Sequence, residues 1–219
     1  MQDFDLSGAK LCADGFFSTL RHRRHVLTAV GCAALLAACG GSDDSSTPVA
    51  SQPATATLAV LETTDLHFNV RSYDYFKLAE DKSYGFERTA TLIRQARKEF
   101  ANTLLVDNGD TIQGTALADY EAEIKPIVCT QQLSMYKAMS ALSFDAGTLG
   151  NHEFNYGLPF LNQVLGGGLD VEGVNASQKC VGNGYPAVLA NVYSSKTKKP
   201  LVQPYAVLER TMVAKGSDG

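Results

Sequence analysis

Phe144-Asp145-Ala146-Gly147-Thr148-Leu149-Gly150-Asn151-His152-Glu153-Phe154-Asn155 is the stretch from which the rest of the chain can be read. Its first half, Phe144 to Leu149, leans apolar and is expected to form a buried strand; a helix is expected to open near Gly157-Leu158-Pro159. A strand that ends in glycine and then offers an amide, an imidazole and a carboxylate places polar groups at the carboxyl edge of a sheet. Ligands of open α/β sheets bind at that edge. Gly and Asn also favour plain turns, so the motif needs support from elsewhere in the chain.

Two upstream stretches give that support. Thr57 to Thr63 is rich in β-formers and runs directly into Thr64-Asp65-Leu66-His67. Thr103 to Val106 is a second apolar run, followed by Asp107-Asn108-Gly109-Asp110 and then Gln113-Gly114. Three strand ends thus carry Asp-x-His, Gly-Asp and Gly-Asn-His-Glu, spaced by roughly one strand-helix-strand unit of about 30 residues or more. Carboxylate, imidazole and amide oxygen are donors suited to borderline and hard divalent ions.

On these residues the chain resembles the 5'-nucleotidase branch of the calcineurin-like metallophosphoesterases. Leu58 to Val70 (LAVLETTDLHFNV) is similar to the first signature of that family and Phe144 to Asn155 to the second. Phe68 departs from the first, standing where the family usually has a small residue. Ser72-Tyr73-Asp74-Tyr75, Asp107 to Gly114, Ala118-Asp119-Tyr120 and Asn155-Tyr156-Gly157 resemble more closely the bacterial 2',3'-cyclic-nucleotide 2'-phosphodiesterase/3'-nucleotidase group. The resemblance implies an α/β fold, part of a layered αββα sandwich, and two divalent ions of unknown identity (manganese, cobalt, zinc or magnesium). It implies that Asp65 and His67 ligate one ion, that Asp110 bridges both, and that Asn151 ligates the second. His152 would face the phosphate and assist the leaving oxygen. Asn155 takes the position where many relatives carry a carboxylate that orients this histidine. Asp107 and Glu153 are expected to support the ligands rather than to be ligands.

The remaining sequence sets the compartment and the partners. With 45% hydrophobic and 19% charged residues, the 219-residue chain has material for one core. A formal net charge of −4 argues against general binding of nucleic-acid duplexes, whose phosphates demand basic patches. Small nucleotide substrates stay compatible, because bound cations reverse the local sign. Arg21-His22-Arg23-Arg24-His25 followed by apolar Val26 to Ala38 reads as a secretory signal, too short to span a bilayer. Leu36-Ala37-Ala38-Cys39 resembles a bacterial lipobox, which makes Cys39 the candidate lipidation site; a plain signal peptide is the alternative. Expected divisions are therefore a leader over 1–38, a Gly/Ser/Pro-rich tether over 39–57, and the metallophosphoesterase region over 58–219. The expected location is the periplasm, or a membrane through the lipid anchor alone. Cys129 and Cys180 are left over, and one disulfide is expected between them in an oxidising compartment, two free thiols being the alternative.

Within 58–219, Phe86, Ala90, Ile93, Ala96 and Phe100 mark an amphipathic helix, and Leu133, Tyr136, Met139 and Leu142 a second. A third is expected over Leu158 to Leu165, stopped by Gly166-Gly167-Gly168. Arg71 to Tyr84 is expected as a long loop, and Ala187 to Val192 and Tyr205 to Val213 as further strands. Of four histidines, His22 and His25 lie in the leader, leaving His67 and His152. The resemblance implies more imidazoles from later strands, so the chain is expected to be the amino-terminal part of a longer enzyme. Three functions follow: a nucleotide phosphoesterase (the cyclic phosphodiesterase/3'-nucleotidase type, or a 5'-nucleotidase or sugar-nucleotide hydrolase), a non-catalytic surface lipoprotein remnant, and a weak metal-binding module.

Overall fold

The computed structural model describes residues 54–215. The leader, Cys39 and the tether up to residue 53 lie outside the described residues. Among those described, no helix is long and apolar enough to cross a membrane.

Strand β1 (Ala59–Thr63) leads through a short antiparallel pair, β2 (Tyr73–Asp74) and β3 (Ala79–Glu80), into helix α1 (Phe86–Glu99). Strand β4 (Thr103–Asp107) follows, then helices α2 (Ala116–Asp119) and α3 (Ser134–Ser140), strand β5 (Ala146–Thr148), helix α4 (Gly157–Val164) and strand β6 (Ala187–Val188). The sheet runs β1-β4-β5-β6, every pair parallel, with Thr63 beside Asp107, Asp107 beside Gly147 and Thr148 beside Val188. Each crossover carries a helix, as parallel pairing requires. Because the strands all point one way, the loops after β1, β4 and β5 leave from the same edge of the sheet.

Helical spacing produces the core. Phe86, Ala90 and Ile93 of α1 are buried, and so are Leu133, Met135, Tyr136, Met139 and Leu142 in and around α3. They meet Leu105 at the centre of β4, together with Ile112, Phe144 and Leu161. Burying each large side chain stabilises the fold by about 1.5–3 kcal/mol. The polar face of α1 also contributes: Arg97 donates to the carbonyls of Leu142 (2.5 Å) and Ser143 (3.2 Å), tying α1 to the turn after α3. Helix α4 ends ahead of the glycine run, where Gly167 N–H reaches back to the Asn162 carbonyl at 2.7 Å.

Three expected elements differ. Arg71 to Tyr84 is not an irregular loop. It contains the β2–β3 pair, closed by Asp74 accepting from the N–H groups of Phe76 (2.9 Å) and Lys77 (3.0 Å). The strand expected over Ala187 to Val192 stops at Val188, because Leu189 N–H turns to the Gln203 carbonyl (3.0 Å) and Leu201 N–H returns to Val192 (2.9 Å). Tyr205 to Val213 is not a strand: it has no ladder among the described residues, and Tyr205, Val207 and Val213 are exposed. Side chains hold it instead. Asn102 exchanges hydrogen bonds with Val213 at 2.7 and 2.8 Å, and Arg210 pairs with Asp145 at 2.6 Å. The end of the expected tether is also tied down, Thr55 and Lys215 exchanging both main-chain bonds at 3.1 and 2.9 Å.

Cys129 Sγ and Cys180 Sγ are bonded, joining the loop before α3 to the segment after α4 across a sequence separation of 51.

Candidate metal centre

The loops after β1 and β4 run side by side for several residues. Asn108 N–H donates to Thr63 (2.8 Å), Asp65 to Gly109 (3.0 Å), His67 to Asp110 (2.9 Å) and Phe68 to Thr111 (2.9 Å). This pairing holds Asp65, His67, Phe68 and Asp110 at φ values of 52°, 45°, 57° and 57°, the left-handed region that L-residues seldom occupy. Such strain persists where surrounding contacts over-determine it, and it gathers at functional sites. Phe68, standing where a small residue is usual, turns its side chain fully into the core.

The β5 loop is clasped to the β4 loop from both directions. Asp110 Oδ1 accepts from His152 N–H at 2.8 Å. In return, the buried Glu153 carboxyl accepts from Asp110 (2.8 Å), Thr111 (2.6 Å) and Ile112 (3.3 Å) of the β4 loop, and from Gly150 (2.6 Å) of its own. The approach needs two glycines. A Cβ on Gly109 would stand 2.3 Å from Gly150 N, and one on Gly150 would stand 2.2 Å from Asp110 Oδ1. Asp107, also buried, accepts from Thr63 Oγ1 (2.6 Å), Thr111 Oγ1 (2.7 Å) and Gly109 N–H (3.2 Å). Burial pushes its carboxyl above the ordinary range, against the pull of these donors. Both carboxyls therefore brace main chain and hydroxyls.

His67, Asp110 and His152 converge, their donor atoms all within 4.8 Å of one another. The two rings meet edge to face with centroids 4.7 Å apart. His67 Nδ1 lies 2.9 Å from the Gln113 carbonyl. A carbonyl cannot donate, so Nδ1 carries the proton and Nε2 is left as a lone pair, the arrangement typical of a metal-ligating histidine. Two imidazoles and a carboxylate fit a borderline divalent ion. Asp65 lies just outside the trio: its Oδ1 is 3.7 Å from His67 Nε2, and its other oxygen accepts from Thr64 Oγ1. Asn151 is exposed at the start of the short 3₁₀ turn His152–Phe154, immediately before His152. Asn155 approaches His152 Nδ1 through Nδ2 at 3.2 Å. Behind it, Tyr156 donates to Asp119 at 2.5 Å, joining two of the motifs read in the sequence. Burial, and then the Asp119 acceptor, hold that phenol well above its usual range.

One participant had no role assigned from the sequence. Gln113 presents its main-chain carbonyl to His67 and its side chain to His152. The clue available in the sequence was Gly114, beside which only a close-packed loop fits.

The calcineurin-like phosphoesterase family matches residues 58–204. The chain is 44% identical over 159 residues to a 2',3'-cyclic-nucleotide 2'-phosphodiesterase/3'-nucleotidase of Yersinia enterocolitica, covering 73% of this chain and 22% of that protein. It is 40% identical over 159 residues to the trifunctional nucleotide phosphoesterase YfkN of Bacillus subtilis, covering 71% and 10%. The crystal structure of YfkN superposes with a TM-score of 0.62 at 38% identity, covering 76% of this chain and 45% of that one. The chain thus spans about a fifth of the length of the Yersinia protein.

Proposed function

The chain belongs to the calcineurin-like phosphoesterase family, whose members use divalent metal ions, and on that footing we propose that it supplies part of the metal centre of a nucleotide phosphoesterase. The observation that carries this reading is the convergence of His67, Asp110 and His152 at the ends of three strands. The substrate class is taken as 2',3'-cyclic nucleotides and 3'-nucleotides, after the relatives of 44% and 42% identity. A 5'-nucleotidase reading has less support, since the snake venom 5'-nucleotidase of Naja atra matches only 46% of this chain.

Asp65, His67 and Asp110 would hold one ion, and Asp110 with Asn151 a second. When bound, such ions neutralise charge on the phosphoryl oxygens and lower the pKa of water. His152 stands beside these ligands on the short turn after β5. It is placed to hold a phosphoryl oxygen or to pass a proton to the leaving alkoxide, work of the kind imidazoles do as general acids. Glu153 and Asp107 fix the main chain that carries Asp110. Export with lipidation at Cys39 belongs to the same proposal; Cys39→Ser should release the protein from membranes and leave its precursor unprocessed, and unchanged fractionation and mass would refute that part.

The test is turnover of a 2',3'-cyclic nucleotide with added manganese or cobalt, by the chain alone and by the chain joined to the remainder of the Yersinia relative. His152→Ala in the active form should slow turnover by about 10²–10⁴-fold with metal content kept. Asp110→Ala should lose metal and turnover together. Hydrolysis of 5'-nucleotides but not cyclic ones would move the substrate assignment, and full activity in Asp110→Ala would end the proposal.

A further inference from the structure

Among the described residues, Gln113 is the one whose hydrogen bonds reach both imidazoles of the centre. Its carbonyl lies 2.9 Å from His67 Nδ1, and its Oε1 lies 3.0 Å from His152 Nδ1. The residue is firmly seated. Ile112 before it is buried. Gly114 after it lies against His67, where a Cβ would stand 2.7 Å from His67 Cβ and 2.9 Å from its carbonyl. Thr115 then anchors the loop by donating to the Phe68 carbonyl (3.3 Å) and capping α2 through Ala118 N–H (3.3 Å).

We propose that Gln113 is a positioning residue for both histidines, its main chain fixing His67 and its side-chain oxygen fixing His152. This deepens the metal-centre reading and rests on it for the purpose the positioning serves. For His67 the tautomer follows from chemistry, since a carbonyl only accepts. For His152 two amides approach one ring nitrogen, Gln113 at 3.0 Å and Asn155 at 3.2 Å. One lone pair cannot take a hydrogen bond from both. Asn155 is exposed and can turn either end of its amide to the ring or to water, whereas Gln113 is half-buried between two packed neighbours. The ring therefore donates Nδ1–H to Gln113 Oε1. Both histidines are left with bare Nε2 atoms, and both rings are held at a fixed angle to Asp110. Partners of this kind set ring orientation and the basicity of the free nitrogen.

The two arms of Gln113 make the proposal testable by a split result. The full 219-residue chain, labelled with ¹⁵N-histidine and free of metal, gives the tautomer of each ring by long-range ¹H–¹⁵N NMR, with signals assigned through His67→Gln and His152→Gln. In the unaltered chain both His67 and His152 should carry Nδ1–H. Gln113→Leu should move His152 to the ordinary mixture dominated by Nε2–H and leave His67 unchanged, since the main-chain carbonyl remains. Gln113→Glu, which keeps an acceptor in place, should hold His152 as Nδ1–H, and it tests the proposal even where the leucine variant fails to fold. Cobalt(II) affinity should change little in either variant, because His67 keeps its main-chain partner and His152 is not among the proposed ligands. A His152 tautomer indifferent to Gln113→Leu, an equal change at His67, or an Nε2–H His152 in Gln113→Glu would overturn the proposal. The tautomer readout needs neither metal nor nucleotide, so it stands or falls separately from the proposed activity.

Discussion

The loops after β1, β4 and β5 and the segment from Tyr205 to Val213 are both irregular, yet they are built on opposite plans. The first group carries four non-glycine residues at positive φ near the sheet edge, and every one lies in a run of main-chain bonds between two loops. Two buried carboxyls, Asp107 and Glu153, then absorb the N–H groups that the ladder leaves over. The second is held chiefly by two side chains, Asn102 and Asp145, and leaves Tyr205, Val207 and Val213 exposed. Irregular backbone is rigid where its polar groups are satisfied by buried partners. It is only tethered where single side chains pin it.

The sharpest way to break this contrast is to remove the brace. Glu153→Leu would leave four N–H groups without their acceptor, two of them on the buried residues Thr111 and Ile112, where a stranded group costs about 1–3 kcal/mol. A loss of about 3–5 kcal/mol is expected on chemical denaturation, with the His67–His152 geometry lost before the helices. Glu153→Gln, which keeps one acceptor oxygen, should lose less. A stability unchanged in Glu153→Leu would mean that the loops hold themselves. Removing the link between Cys129 and Cys180 as a double serine variant should cost about 2–4 kcal/mol, the usual range for such a bond. That loss should leave metal affinity nearly intact, because the disulfide joins the loop before α3 to the segment after α4 and carries none of the proposed ligands; recovery of both cysteines as free thiols in the purified protein would remove the premise. At the lower limit stands Val207→Ser in the pinned segment, expected to change stability by under about 0.5 kcal/mol. A larger loss would show that this surface is covered in solution.

What could be read from the sequence follows the same division. Helical period located α1 and α3 to within a few residues, because Phe86, Ile93, Met139 and Leu142 repeat on one face and that face is buried. The strand-end motifs located the site, since parallel strands bring Asp65, Asp110 and His152 to one edge whatever the loops do. Tyr205 to Val213 misled because β-rich composition describes a residue's fitness for a ladder and not the presence of a partner strand. Glu153 was read as support, but its four bonds could not be, because they reach main-chain N–H groups that every residue has. Gln113 stayed unread for the same reason: half of its contribution comes from a carbonyl that carries no side-chain signature.

The central claim is that three strand ends assemble a preorganised set of metal donors. A cobalt(II) titration of the metal-free 219-residue chain, followed by visible absorption, measures it most directly. The account predicts one weak, saturable site that disappears in Asp110→Ala and weakens in His67→Ala, while Val207→Ser binds as the unaltered chain does. Absence of a saturable site, or binding that Asp110→Ala leaves unchanged, would contradict it.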